Sequence, residues 1–315
     1  MKKKFQGVVV PMITPLCPDL SIDTQAVARI MKQFAAHQIS PLVLGTTGES
    51  ASVGAQESLR FMQAAVESKA DGQMVYAGLV GNDVQSLIKL ANEYAALGVD
   101  AVVATLPSYY ILTPEQMKNF YLRLADEAKA PVFMYNIKAT TQMSIPLEVV
   151  EALSHHENMA GLKDSERDED KMKKSIEMFQ NREDFSFFCG WGAQGANSLK
   201  LGADGIVPST GNIVPELYGK LYQAYLAGDF AKADYYQELT DKVAVVYQKG
   251  RTLGESLAAL KVLMQDAGLC STVMMPPLTE LASKICLVAG QDISVRDLIL
   301  GLIGDRRWLF RSAWH

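Results

Sequence analysis

Cysteine is scarce and scattered: the 315 residues contain four, Cys17, Cys189, Cys270 and Cys286, with no Cys-x-x-Cys pair. Neither a disulfide framework nor a thiolate zinc cluster is indicated. Histidine is equally rare, with four residues of which His155 and His156 are adjacent, so no metal centre is expected. Isolated thiols suit a reducing cytoplasm, where a buried cysteine behaves as a small hydrophobe. Positive charge is not in surplus. The 35 acidic and 30 basic side chains leave a net charge of −5, which disfavours nucleic acid and anionic membrane as partners. No apolar run is long enough to span a bilayer. The one segment shaped like a leader, Met1-Lys2-Lys3-Lys4 followed by Phe5 to Pro11, is interrupted by Gln6, Gly7, Pro11 and Pro15. It reads as a first buried strand. Small molecules and a cytoplasmic location are therefore expected.

What is present is a core-forming composition, 49% hydrophobic and 21% charged, ordinary for a globular chain. Short apolar runs recur eight times: Gly7 to Ile13, Leu42 to Leu44, Met74 to Leu79, Ala101 to Leu106, Val132 to Tyr135, Met159 to Lys163, Phe185 to Cys189 and Asp204 to Val207. Between them lie stretches with apolar residues at helical spacing, such as Thr24 to His37, Gln56 to Ser68, Val84 to Leu97 and Glu115 to Ala128. Alternating strand and helix predicts a parallel sheet. Two joints, Leu97-Gly98-Val99-Asp100 and Leu201-Gly202-Ala203-Asp204, each read as a helix closed by a left-handed glycine before a buried strand. Eight such units within about 225 residues match a (β/α)8 TIM barrel, usually roughly 250 residues. A doubly wound open sheet is the alternative, because periodicity carries no information on closure. After Leu226 only helix patterns follow, at Phe230 to Lys249, Leu253 to Ala267, Leu278 to Leu287 and Val295 to Leu302. No Gly/Ser linker intervenes, so 1–225 is read as the barrel catalytic domain and 226–315 as a C-terminal helical extension packed on it, with apolar positions also suited to a subunit interface. The final Arg306-Arg307-Trp308-Leu309-Phe310-Arg311 is read as a packed terminal turn.

Three motifs end apolar runs: Gly45-Thr46-Thr47-Gly48-Glu49, Tyr135-Asn136 and Lys163. Each alone has an ordinary reading, as a strand-to-helix turn, a core aromatic or a surface lysine at a loop start. Together they would converge at the C-terminal face of a barrel, where active sites lie. An amine is nucleophilic only when neutral, and desolvation removes its proton most readily. By period-two alternation Gly161 and Lys163 face one side; if that side is the barrel interior, Gly161 leaves room for the amine and Leu162 faces the helices. The glycine turn, with successive amides and two hydroxyls near the start of a helix, could hold a carboxylate. It lacks the Walker spacing. Gly190-Trp191-Gly192-Ala193-Gln194-Gly195 fits G-x-G-x-x-G, but it follows the seventh run rather than the first, and Glu216 does not end a strand.

At this point the chain resembles the dihydrodipicolinate synthase and N-acetylneuraminate lyase family, Schiff-base 2-oxo-acid aldolases on a (β/α)8 barrel. The resemblance spans most of the chain and rests on Gly45-Thr46-Thr47-Gly48-Glu49-Ser50, Pro107-Ser108-Tyr109-Tyr110, Tyr135-Asn136, Gly161-Leu162-Lys163-Asp164-Ser165, and Gly202-Ala203-Asp204-Gly205 leading to Asn212. It implies that Lys163 forms an imine with pyruvate or another 2-oxo acid, that Thr46 and Thr47 bind the carboxylate, and that Tyr135 shuttles protons. Thr46 and Tyr110 would complete a relay, with Tyr110 supplied by a neighbouring subunit of a dimer or tetramer. Gly190 and Val207 would line the pyruvate pocket. No cofactor and no metal is implied, because the protonated imine itself withdraws electrons.

Two departures narrow the substrate. Where the synthases carry a Pro and an Arg after Tyr-Asn, this chain has Lys138 and Thr140. A threonine cannot grip a carboxylate with two parallel hydrogen bonds, although Lys138 could act as a point charge. The sialate lyases' acidic pair is replaced by Gly192-Ala193. The expectation is an aldolase or dehydratase acting on a 2-keto-3-deoxy sugar acid or a related compound, an aldolase releasing a 2-oxo acid and an aldehyde. The alternative is 4-hydroxy-tetrahydrodipicolinate synthase. Behind it stand N-acetylneuraminate lyase, an NAD-dependent enzyme and a catalytically silent binding barrel.

Overall fold

The computed structural model describes residues 3–281 and residue 301. Eight strands alternate with helices: β1 (Gly7–Pro11), α1 (Thr24–Ala36), β2 (Ile39–Val43), α2 (Ala55–Glu67), β3 (Tyr76–Leu79), α3 (Val84–Leu97), β4 (Ala101–Thr105), α4 (Pro114–Glu127), β5 (Val132–Asn136), the short α5 (Lys138–Thr141), α6 (Leu147–Leu153), β6 (Met159–Asp164), α7 (Glu169–Phe179), β7 (Ser186–Cys189), α8 (Gly195–Leu201), β8 (Gly205–Ile206) and α9 (Pro215–Leu226). Every pairing between neighbouring barrel strands is parallel, and β8 returns to β1 through Gly7↔Gly205 and Val8↔Ile206. The sheet is a closed barrel. Closure rules out the open doubly wound alternative.

Local chemistry explains the element ends. Asp23, Asp83 and Asp168 cap α1, α3 and α7 by accepting backbone N–H bonds, and Thr113 with Gln116 forms a capping box on α4. Gly98 and Gly202 close α3 and α8 at φ 98° and 110°, a conformation glycine reaches without steric cost. β2 begins at Ile39, earlier than the apolar run from Leu42 indicated. Its ladder to β3 covers only Leu42 and Val43, so Pro41, which lacks an N–H, lies ahead of that edge.

Period-two alternation divides each strand between two cores. Val8, Val10, Val43, Ala77, Val102 and Leu162 pack outward against the helices. Facing inward, Phe5, Val9, Leu42, Tyr76, Phe133, Phe188 and Val207 fill the barrel around Tyr135, with the Phe133 and Phe188 rings 5.2 Å apart. At the N-terminal end Lys3 Nζ donates to Phe179 O, Phe185 O and Asp204 Oδ2, all at 2.9 Å. Gly161 has a different use from the one expected. A Cβ there would meet the Phe133 ring, with Cδ1 at 2.8 Å, and collide with the Ser186 carbonyl, so the missing side chain makes room for the interior aromatic layer rather than for the Lys163 amine. Gly161→Ala is accordingly expected to destabilise the barrel by about 1–3 kcal/mol through overpacking, read as a lowered urea midpoint at unchanged slope.

Beyond the barrel, α10 (Phe230–Gln248) and α11 (Leu253–Asp266) fold back over the rim. Gln237 on α10 accepts from Ala196 N and donates to Gly192 O, and Tyr247 bonds to Ser209 and Thr210 after β8. The expected helix from Leu278 is not helical over 278–281. Its remainder, the expected Val295 to Leu302 helix apart from Gly301, the segment Arg306 to Arg311 and Cys286 lie outside the described residues. Among the described residues, no helix is long and apolar enough to cross a membrane.

Candidate active site

The register places Tyr135 directly beside Lys163 on adjacent strands, with Phe188 on the far side of the lysine. Both side chains are buried, 4% and 3% exposed, and the lysine Nζ lies 3.6 Å from the centre of the Tyr135 ring. The Thr46 hydroxyl is 3.3 Å from the Tyr135 hydroxyl. Three motifs 28 to 117 positions apart in sequence thus meet at the C-terminal ends of β2, β5 and β6.

Burial holds the Lys163 ammonium below its ordinary pKa, partly offset by the nearby Tyr135 hydroxyl. Tyr135 is governed by opposing forces. Burial raises it, but the Lys163 charge and hydrogen bonds with Thr46, Lys163 and Ser165 bring the phenol below its usual value. The two groups share one charge balance: a neutral lysine withdraws the attraction that lowers the tyrosine. An amine that loses its proton readily beside a phenol that gives one up readily is equipped for imine chemistry and proton transfer.

Thr46 and Thr47 sit on a single 3-10 turn, Thr46–Gly48, directly after β2, while α2 begins only at Ala55. The turn is therefore separate from the helix start that its sequence pointed to. Leu44 and Glu49 flank it at φ 57° and 56°. Gly78 on β3 permits this path, because a Cβ there would overlap the Leu44 carbonyl. From below, the Thr14 hydroxyl donates to Gly48 O.

Gly190 and Val207 both lie at this end of the barrel. Val207 is buried in the interior cluster with Tyr135. A Cβ on Gly190 would collide with Ser165 Oγ and come within 2.9 Å of Asp164 O, so the glycine gives Ser165 its place near Tyr135. Ser165 is a site residue that the strand pattern did not single out; its position two residues beyond Lys163 was the available signal.

Lys138 and Thr140 lie on α5 at the mouth, both exposed. Lys138 Nζ is 3.5 Å from Glu166 Oε1, and the Thr140 hydroxyl donates to Ile137 O. Glu166 is the hub of an unforeseen network. Ser144, Lys171 and Asn136 donate to its Oε2 at 2.6, 2.7 and 2.9 Å. Burial would raise Glu166, but these hydrogen bonds hold it at about 2. Asn136 also bonds Asp164 and the Ile145 amide, tying the ends of β5 and β6 together.

Tyr110 does not join this cluster within one chain. It is 73% exposed on the loop after β4, beside Tyr109 and Ile111 at 78% and 68%. The G-x-G-x-x-G segment is also differently employed. The amide of Ala196, the residue that follows it, is taken by Gln237, and α8 is only seven residues long, so one N–H at this helix start is already engaged.

With this geometry established, the comparisons with known proteins agree in direction. Residues 4–294 match the model of the dihydrodipicolinate synthetase family. The chain is 27% identical over 287 residues to the probable 2-dehydro-3-deoxy-D-pentonate aldolase YjhH of Escherichia coli, covering 90% of this chain and 94% of that protein. It is 30% identical over 229 residues to a 4-hydroxy-tetrahydrodipicolinate synthase of Laribacter hongkongensis, covering 72% and 78% respectively. A dihydrodipicolinate synthase structure from Bacteroides thetaiotaomicron matches with a TM-score of 0.83 at 27% identity, over 89% of this chain and 95% of that one.

Proposed function

The chain belongs to the dihydrodipicolinate synthetase family and is a lyase, and from that premise we propose that it cleaves 2-keto-3-deoxy sugar acids through a Schiff base on Lys163. The observation that carries the reading is the buried Lys163 amine lying 3.6 Å over the Tyr135 ring, with Thr46 on the Tyr135 hydroxyl. The neutral amine attacks the substrate ketone, and Tyr135 gives its phenol proton to the departing oxygen, which leaves as water; the products are the protonated imine and a Tyr135 phenolate. Tyr135, as phenolate, takes the proton of the C4 hydroxyl while the C3–C4 bond breaks; the aldehyde departs and the bonding electrons pass into the imine as an enamine. Tyr135 returns its proton to C3, and water releases pyruvate and the free lysine. Thr46 and Thr47 hold the carboxylate, Gly190 and Val207 bound the pocket, and Tyr110 is contributed by a second copy in a dimer or tetramer.

The substrate assignment is supported by the mouth. Thr140 offers a hydroxyl where a guanidinium would be needed to clamp a second carboxylate, and Lys138 is engaged by Glu166. The relative named as a pentonate aldolase points the same way. Synthesis of 4-hydroxy-tetrahydrodipicolinate is the second reading, favoured by the 30% identity to the Laribacter enzyme. The cytoplasmic assignment is supported by the free thiols of Cys17, Cys189 and Cys270.

Two measurements test this. Borohydride reduction with pyruvate, followed by peptide mass mapping, is expected to place a single adduct on Lys163; no adduct on folded enzyme would sink the Schiff-base reading. Turnover of a 2-keto-3-deoxy acid panel, with pyruvate release followed by a coupled assay, is expected to exceed condensation of pyruvate with aspartate semialdehyde by at least about 100-fold in kcat/KM. The reverse ranking selects the synthase.

A further inference from the structure

The turn carrying Thr46 and Thr47 is held by something its own sequence does not contain. Non-glycine residues in the left-handed region cost about 1–2 kcal/mol each, and such strain persists only where the surroundings impose it. Leu44 and Glu49 bracket the turn in that conformation. The Glu49 side chain is completely buried against Lys261 of α11, itself 1% exposed, with Nζ 2.6 Å from Oε1. Glu49 Oε2 accepts the Met275 amide at 2.7 Å, and Lys261 Nζ donates to Val273 O at 2.6 Å. Oε1 receives charge but no well-directed hydrogen bond. A buried ion pair of this kind is poor support for stability, since apolar residues of similar volume usually do as well. Its distinctive result is geometric. It joins α11 and the segment after it to the turn whose Thr46 touches Tyr135.

We propose that Glu49 and Lys261 are positioning residues for the 2-oxo-acid carboxylate: their ion pair sets the Thr46–Thr47 turn against Tyr135 and brings α11 and residues 273–275 into the substrate-binding apparatus. The proposal rests on the carboxylate role assigned above to that turn. Neither side chain touches substrate. Glu49 acts through the backbone that it ends, and Lys261 acts through Glu49. Thr14 supports the turn from beneath through Gly48 O, but it does not engage Glu49, which fixes where the turn stops.

The test is the double variant E49Q/K261M, which removes both charges while roughly keeping volume and an acceptor for the Met275 amide. Folding is checked by circular dichroism. KM for the 2-oxo acid is expected to rise about tenfold with a smaller change in kcat, the signature of lost ground-state binding. A purely structural pair would lower the melting temperature and leave KM within about twofold, which overturns the proposal. If the double variant does not fold, hydrogen exchange on the wild-type enzyme decides. Forming the borohydride-reduced pyruvate adduct is expected to slow exchange at the Met275 amide together with residues 46–49; protection confined to 46–49 overturns it. Absence of any adduct on wild-type enzyme defeats the Schiff-base reading itself, whereas an adduct with an unmoved KM defeats only the positioning role.

Discussion

Lys163→Ala is expected to lower turnover by at least about 10^4-fold and to abolish the borohydride-trapped adduct, because the variant removes the only atom on which the imine forms. Its fold is expected to survive. The side chain is buried and forms no salt bridge among the described residues, and the alanine methyl remains beside Tyr135 and Phe188 in the same strand register. Melting temperature and circular dichroism separate the two effects: lost activity on an intact barrel assigns the loss to chemistry. Wild-type pH dependence gives a second handle. Burial lowers the pKa of Lys163, so the neutral amine predominates at a lower pH than for an exposed lysine. The rate of adduct trapping is therefore expected to rise with pH and to level off above that depressed pKa. A rate still climbing through the range of an ordinary lysine would contradict the desolvated-nucleophile account.

Tyr135→Phe carries the second large effect and separates binding from proton transfer. The ring stays beneath the amine, so the pocket keeps its shape and Lys163 can still be trapped by borohydride. What disappears is the hydroxyl that contacts Thr46. A loss of about 10^2–10^4-fold in kcat is expected, the range for a positioned acid–base group, with KM changed far less. The pH profile sharpens the test. In the cleavage direction the working form of Tyr135 is the phenolate, and the protonated imine keeps a positive charge beside it, so wild-type kcat is expected to rise as pH increases through its lowered pKa. That limb should vanish in the Phe variant. A variant within about threefold of wild type would move the proton-shuttle role to another group, and Ser165, held next to Tyr135 by the absence of a side chain at Gly190, would be the first to examine.

Much of this is legible in the amino-acid sequence, and the reason is periodicity. Eight apolar runs in alternation with amphipathic helices already specify parallel strands, and Gly98 and Gly202 mark two helix ends by a conformational need that glycine meets without penalty. The positions of Lys163, Tyr135 and Thr46 at run ends follow from the same local pattern, and the resemblance assigned them chemistry that the pattern alone left open. Gly161 shows where such reasoning fails. Alternation set it on the same side as Lys163, but which neighbour needed the space depended on Phe133, from another strand.

The amino-acid sequence by itself determined the alternation of strands and helices, which residues of a strand share a side, and the arrival of a lysine, a tyrosine and a threonine turn at the ends of their strands, because these depend on steric and solvent preferences of residues close in the chain. Tertiary structure alone decided the closure of β8 onto β1, the filling of Gly161's space by Phe133, the hub at Glu166, and the pairing of Glu49 with Lys261 across 212 positions. Each of those is a contact between segments distant in sequence. Local periodicity has no term for them, since what selects them is volume and charge compensation inside a packed interior.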